Sequence, residues 1–351
     1  MKAWSMAKGK NIVAGFDVGG AHLKVTRAEN GRIVSAVSIA TPLWQGLGSL
    51  KSAFNETGPL HEDVQLAAFT MTGELSDVFR SRQEGVAALL EEIGRHCPSA
   101  ARLIYAGRSG FVDIEEGGRL WPDVASANWH ATASLVARHV GDAMFVDMGS
   151  TTTDIVPIGA GRLLNQGYND ADRLLEGELV YTGFTRTFLF GIADAAPVAG
   201  RLSPLMNEYF ASMADVHRIL GVLEEKDDKH PTADGKEKTV AASTERIARM
   251  VGRDAGDLPF GEWLNIATWF SERQLRTLHD AAFLVSNRLV EGSPIVGAGT
   301  GRWQVRRLAE RLGRDFIDFA DIIPAEDAVR ADASAAAPAA AVALLAGGGE
   351  W

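Results

Sequence analysis

The chain has one cysteine, Cys97, in 351 residues. An intrachain disulfide is therefore impossible, nothing demands an oxidising compartment, and a paired-cysteine zinc site is excluded. Its eight histidines include no His-Glu-x-x-His, so no zinc-hydrolase helix is expected either. No apolar run reaches the roughly 18 residues of a membrane span. Met1 to Lys10 is basic and polar, without the apolar core or small-residue cleavage site of a signal peptide. A cytoplasmic protein that contacts no membrane is expected. Positive charge is also short, with a net charge of −10. That argues against nucleic-acid binding, which needs a basic footprint. It leaves room for a phosphorylated small molecule, because local Lys, Arg and metal ions set the field inside a cleft.

Against these absences stands a phrase that occurs nearly twice. Phe16-Asp17-Val18-Gly19-Gly20-Ala21-His22-Leu23-Lys24 follows an apolar run from Ile12, and Val146-Asp147-Met148-Gly149-Ser150-Thr151-Thr152-Thr153-Asp154 follows one from Ala143. An apolar run reads as a buried strand. An Asp at its end supplies the hard oxygen ligand that Mg²⁺ prefers, and the glycines beyond it let backbone N–H groups approach phosphate oxygens. A single Asp-x-Gly-Gly reads more readily as a tight hairpin with a turn Asp. Two copies, with a later glycine-rich segment, predict two hairpins clamping a polyphosphate and its metal between two domains.

The remainder alternates strands and helices, which indicates an α/β protein. Val25 to Glu29 and Ile33 to Ile39 flank Asn30-Gly31, a type I′ hairpin signal. Leu66 to Thr70 and Leu103 to Ala106 read as strands. Leu50 to Phe54, Ser76 to His96 and Asn128 to Val140 read as helices, with Trp129 in the core, Asn128 as a cap, and Cys97-Pro98 ending the second. Met144 to Asp147, Thr153 to Pro157 and Arg162 to Asn165 start a second set of strands. Leu202 to Leu223, Thr239 to Val251 and Phe260 to Val290 read as helices, and Glu224 to Lys238 between the first two is too polar for core and reads as a solvated loop. Pro294-Ile295-Val296-Gly297-Ala298-Gly299-Thr300-Gly301 reads as a buried strand entering a glycine loop and a helix N-terminus at Arg302; its alternative reading is a plain strand-to-helix turn. The alanine-rich Ala331 to Ala346 is expected to form one closing helix on the first domain, fraying at Gly347 to Gly349. The expected domains are 11–145 plus 325–346, and 146–324.

In this order, the two hairpins and the late Gly-x-Gly loop resemble the phosphate-1, phosphate-2 and adenosine motifs of the actin, sugar-kinase and heat-shock ATPase superfold. The resemblance implies two ribonuclease-H-like (actin-like ATPase) domains with an interdomain cleft. Asp17-Val18-Gly19-Gly20 and Asp147 to Ile155 look most like the hydantoinase/oxoprolinase family, over nearly the whole chain. Gly19 to Lys24, Ala125 to Trp129, Gly177 to Thr187, Met206-Asn207-Glu208 and Thr232 to Lys236 resemble its tetrahydromethanopterin-linked one-carbon branch. Ala21 departs from the Thr usual in hydantoinases, and Lys24 follows. Archaeal members of that branch build methanofuran, so the resemblance implies a transferase. It would join an aminomethyl-furanmethyl diphosphate donor to the phenol of a tyramine or tyrosine acceptor and release pyrophosphate.

For that chemistry Asp17 and Asp147 are expected to hold Mg²⁺. Gly19, Gly20, Gly149, Ser150, Thr151, Thr152, Gly297, Gly299 and Gly301 would line the phosphates, and Lys24 would neutralise the leaving group. A phenol of pKa near 10 benefits from a base, for which Asp154 or Asp17 is available. Arg186, a catalytic candidate, and Lys236 are expected to meet acidic or phosphate groups of the substrates, with ion pairs as the alternative; Glu178 and Tyr181 are placed on a cleft wall, and His22 is read as an outward hairpin side chain. The helical second domain offers a dimerisation surface. Two other functions compete: an ATP-using kinase or oxoprolinase-type amidohydrolase, and a nucleotide-switched chaperone, which the lack of a peptide-binding β-domain disfavours.

Overall fold

The computed structural model describes residues 11–96 and 101–348; the expected helix end at Cys97-Pro98 and the tail at Gly349 lie outside them. The chain divides into two compact units. The first comprises residues up to Gly141, Ile158–Leu163 and residues from Asp318 onward, and the second comprises Asp142–Pro157 and Leu164–Ile317.

In the first unit the apolar run becomes β1 (Ile12–Val18), buried along its whole length. β2 (His22–Glu29) and β3 (Arg32–Ala40) complete an antiparallel meander, with Asp17 opposite Lys24. Its turn residues Asn30 and Gly31 both have positive φ, 49° and 77°, as a type I′ hairpin requires. β4 (Leu66–Met71) runs parallel to β1 on its other side and β5 (Ala101–Tyr105) parallel to β4, while the short β6 (Phe111–Val112) closes the edge. The sheet order is β3-β2-β1-β4-β5-β6. Phe16 stacks on Phe69 at 4.5 Å between ring centres.

Two elements of this unit differ from expectation. The second helix is Arg82–His96, starting six residues later than Ser76. The alanine-rich segment forms two helices, Arg330–Ala335 and Ala337–Ala346, because Pro338 fits only the first turn of a new helix. The second of these is buried almost throughout against β1, β2, β4 and the helix Asn128–His139, in which Trp129 is 1% exposed.

The second unit repeats the plan. β7 (Ala143–Met148) and β8 (Thr153–Gly159) form a hairpin, while β9 (Arg162–Leu163), which pairs with the last residues of β8, groups with the first unit. β10 (Leu179–Val180) borders β8 near the hairpin. The predicted helix at Leu202 to Leu223 is a correction: β11 (Ala195–Val198) and β12 (Arg201–Pro204) form a separate hairpin, and only Met213–Ile219 is helical. Ala199 and Gly200, at φ 47° and 78°, turn the chain there. β13 (Ile295–Ala298) runs parallel to β7 on the side away from β8, and β14 (Phe316–Asp318) follows, giving the order β10-β8-β7-β13-β14. The helices Met213–Ile219, Val240–Met250 and the 27-residue Phe260–Ser286 pack together beside this sheet. Among the described residues no single helix is long and apolar enough to cross a membrane.

The polar stretch from Glu224 to Lys238 lies at the surface with no residue buried, as the solvated-loop reading expects, and ion pairs also tie it down. Buried Arg218 pairs with Glu225 at 2.7 Å and Asp228 at 2.6 Å, and Arg246, fully buried, pairs with Asp215 at 2.7 Å and Asp234 at 3.1 Å. Burial opposes the Asp234 charge, but hydrogen bonds from Arg249, the Lys236 amide and Arg246 hold its pKa down at about 2.

Candidate phosphate-binding hairpins

The two repeated phrases fold to the same local geometry. In the first, the Gly19 N–H donates to the His22 carbonyl at 3.0 Å; in the second, the Gly149 N–H donates to the Thr152 carbonyl at 3.0 Å. These amides are spent closing the turns. Among the described residues, no protein acceptor takes the amides of Gly20, Ser150 or Thr151, which makes them the ones a phosphate can use.

Each hairpin carries one buried carboxylate at the end of its first strand: Asp17 is 4% exposed and Asp147 is 7% exposed. Beside Asp17, the Lys24 ammonium lies 3.9 Å away. The same register count puts Asp154 at the position equivalent to Lys24, and there the local charge is reversed. Asp154 is buried and pairs with Arg173 at 2.8 Å, while Arg173, 1% exposed, also donates to the Glu178 carbonyl. This ion pair engages the carboxylate that sequence reasoning offered as a base.

Glu178 is likewise structural rather than a cleft wall. It is fully buried, accepts the Gln166 and Gly167 amides at 2.6 and 3.1 Å, and pairs with Arg288. Tyr181 is exposed, Lys236 pairs at the surface with Glu245, and His22 is buried rather than outward.

Arg186 is held against the second hairpin. The amides of Phe184, Thr185 and Arg186 donate to the carbonyls of Gly149 and Ser150, and the Arg186 guanidinium donates to the Thr151 hydroxyl at 3.2 Å. Three consecutive carbonyls before it are each taken by a side chain: Thr182 by Thr153 at 2.7 Å, Gly183 by Gln274 at 2.8 Å, and Phe184 by His217 at 2.7 Å. The segment is thus fixed before any ligand arrives, the preorganisation that electrostatic recognition needs. Burial pushes the Arg186 pKa below its usual value, while the Tyr209 and Tyr181 phenols oppose that shift.

The glycine loop after β13 packs on the second hairpin's strand. Gly299 has φ +85°, and a Cβ there would strike the Met148 carbonyl and the Asp147 carboxylate. Gly301 donates its N–H to the Met148 carbonyl at 2.9 Å, and Gly297 lies inside β13 against the Phe316 ring. These glycines therefore have a packing reason, and Gly299 roofs the Asp147 carboxylate directly.

Glu74 is a further buried carboxylate that the repeated phrase does not announce. It is 1% exposed, follows Gly73 at the end of β4, and accepts the Ser126 hydroxyl at 2.7 Å; Gly73 itself packs on Val18 and Gly19 of the first hairpin. The sequence signal of Glu74 is a carboxylate one residue past a glycine beyond a strand end, the reverse of the Asp-x-Gly order in the two hairpins. An open cavity of about 280 Å³ between Met206, Phe210, Arg249 and Arg253 involves no hairpin residue.

No cluster of three or more His, Cys, Asp or Glu among the described residues is arranged to hold a metal by itself. One carboxylate per hairpin still suits Mg²⁺, which commonly takes one or two carboxylates and completes its shell with phosphates and water.

Residues 65–318 match the hydantoinase/oxoprolinase family model. A Methanocaldococcus jannaschii (4-{4-[2-(gamma-L-glutamylamino)ethyl]phenoxymethyl}furan-2-yl)methanamine synthase is 30% identical over 96% of this chain and 98% of its own. The synthase of that name from Methanococcus vannielii is 33% identical over 38% of this chain and 61% of its own. Among solved structures, a nucleotide-free acetone carboxylase is 10% identical with a TM-score of 0.56, over 95% of this chain and 70% of that one, a likeness of fold alone. The chain belongs to the hydantoinase/oxoprolinase family.

Proposed function

We propose that this protein is a transferase that forms an aryl ether between an aminomethyl-furanmethyl diphosphate and the phenol of a tyramine- or tyrosine-type acceptor, in the making of a methanofuran-like coenzyme. The observation that carries this reading is the near full-length similarity to the Methanocaldococcus synthase. That enzyme's name describes a phenoxymethyl link between a phenol and a furan. A synthase of such a product has to make one carbon–oxygen bond at a furan-methyl carbon, and a fold with glycine hairpins suits a diphosphate leaving group at that carbon.

In the proposed step the bond from the furan-methyl carbon to the diphosphate oxygen breaks, and its electron pair leaves with pyrophosphate. A lone pair of the phenol oxygen forms the new bond to that carbon, and the phenolic proton passes to the departing pyrophosphate. Asp17 and Asp147 would hold Mg²⁺, whose contribution when bound is to neutralise the diphosphate charge. Lys24, beside Asp17, adds a second positive charge at the first hairpin. The amides of Gly20, Ser150 and Thr151 are oriented donors for phosphate oxygens, and fixed dipoles of this kind cost no reorganisation during reaction. Arg186 would take a diphosphate oxygen from the second hairpin.

The test is to incubate the protein with the furanmethyl diphosphate, Mg²⁺, and tyramine, γ-glutamyltyramine or tyrosine, and to follow pyrophosphate together with the ether mass. Ether formation is expected, and Asp17→Asn and Asp147→Asn are each expected to abolish it while leaving the melting temperature within a few degrees. Tight Mg²⁺-ATP turnover with no ether product would overturn the reading in favour of a kinase or amidohydrolase.

A further inference from the structure

Three aromatic rings stand open beside Arg186. Phe188 is 41% exposed, Phe190 37% and Tyr209 43%, yet they cluster: Phe188 lies 4.2 Å from Tyr209 and 5.6 Å from Phe190 between ring centres. A contiguous apolar patch of this kind on a folded surface commonly marks a binding site. Its backbone is not loose. Phe188 makes a β-bridge with Ser212, the Met213 amide donates to the Thr187 carbonyl, and Leu189 between the rings is fully buried. Phe188 and Phe190 are therefore presented by a fixed segment, the one whose preceding carbonyls Thr153, Gln274 and His217 hold, and Tyr209 comes three residues before the bridging Ser212.

Charge gives the patch a polarity. Arg186 sits two residues before Phe188, with its guanidinium on the Thr151 hydroxyl of the second hairpin and its charge felt by the Tyr209 phenol. At one side, then, are a cation and free amides suited to phosphate; at the other are ring faces, which attract cations and planar rings.

We propose that Phe188, Phe190 and Tyr209 seat the furan end of the diphosphate donor, with Arg186 taking its diphosphate. The inference rests on the donor assigned above. That molecule has matching polarity: an anion one methylene from the ring, a ring, and an ammonium beyond it. Cationic character grows on the furan-methyl carbon as the leaving group departs, so ring faces there favour the transition state as well as the bound donor. A phenolic acceptor lacks the anion next to its ring and fits this arrangement less well.

Calorimetry with the aminomethyl-furanmethyl diphosphate alone, and separately with inorganic pyrophosphate, both with Mg²⁺, tests the proposal. Wild-type ether synthesis is measured alongside. Phe188→Leu and Tyr209→Leu should each weaken donor binding about tenfold, the order of a desolvated ring–cation contact. Pyrophosphate affinity should stay within about twofold and the KM for the phenol unchanged, and Phe188→Tyr should retain donor affinity. If wild type makes the ether but both Leu variants bind the donor normally, or lose affinity for the phenol instead, the seat is wrong and the transferase stands. If wild type neither binds the donor nor makes the ether, the transferase reading falls and the seat falls with it. Should a Leu variant lose heat stability, the comparison of Phe188→Tyr with Phe188→Trp, both ring-bearing, is decisive: loss of donor affinity in both removes the proposal.

Discussion

The most quantitative consequence of the second unit concerns His217. It is fully buried, its ring stacks on Phe184 at 4.0 Å and lies edge-on to Trp303 at 6.0 Å, and its Nδ1 bonds the Phe184 carbonyl at 2.7 Å. A carbonyl only accepts, so Nδ1 carries the proton, and Nε2 is buried without a hydrogen-bond partner. A second proton at Nε2 would be an unsolvated charge. Burial, with help from Arg307, accordingly pushes the pKa down to about 3. The folded state thus holds the neutral ring, while the unfolded chain takes up a proton below its ordinary pKa of about 6.5. Stability from this group is complete above that value and is lost as pH falls toward 3. The slope is about 1.4 kcal/mol per pH unit, so moving from pH 7 to pH 5 should cost about 2 kcal/mol. His217→Gln keeps a donor for the Phe184 carbonyl but does not titrate. Urea unfolding at the two pH values, using the transition that reports the second unit, should show wild type losing about 2 kcal/mol more than the variant. Equal losses in the two proteins, or an imidazole NMR titration of His217 with a midpoint near 6, would refute the reasoning.

Two further perturbations probe the supports of the site. Gly299→Ala demands a side chain at φ +85° where the Met148 carbonyl and Asp147 carboxylate already stand; a loss of roughly 1–3 kcal/mol is expected from the backbone strain alone, along with weaker pyrophosphate binding, and an unchanged melting curve would mean the loop gives way easily. Arg246→Met removes the closer of the two guanidinium groups paired with buried Asp215 and leaves Arg218 at 3.6 Å, which should cost about 1.5–3 kcal/mol and free the Glu224 to Lys238 stretch for tryptic cleavage; continued protease resistance would show that Arg218 alone anchors it.

What the sequence made legible was whatever the backbone decides locally. Asn30-Gly31 announced its hairpin because few residue pairs accept two positive φ angles, and the repeated Asp-x-Gly phrase announced two equivalent turns because the glycines permit the same short closure. The segment from Leu202 to Leu223 misled because helical spacing of apolar residues says nothing about a turn at Ala199-Gly200, which commits the chain to β12 first. Side-chain roles were harder, since they depend on partners distant in sequence. Glu178 and Asp154 look like site carboxylates in a Gly- and Thr-rich context, yet Arg288, 110 residues on from Glu178, and Arg173 have claimed them. That distinction sharpens the chemistry of the doubled phrase. The turns are equivalent, but the residue opposite the strand-end Asp is a lysine in the first hairpin and a neutralised carboxylate in the second. Lys24 therefore brings its own positive charge to the first hairpin, whereas the second must draw it from Arg186, carried on a separate and firmly anchored segment. Fold duplication alone would make the two hairpins interchangeable; their cations do not, and a lysine on its own strand and an arginine on a neighbouring segment will respond differently to removal. Lys24→Met should lower the rate of pyrophosphate release while the donor still binds through the second hairpin and its rings, whereas Arg186→Met should weaken donor binding itself. The reverse pattern, read from kcat and calorimetric affinity on the same protein, would assign the leaving group to the other hairpin.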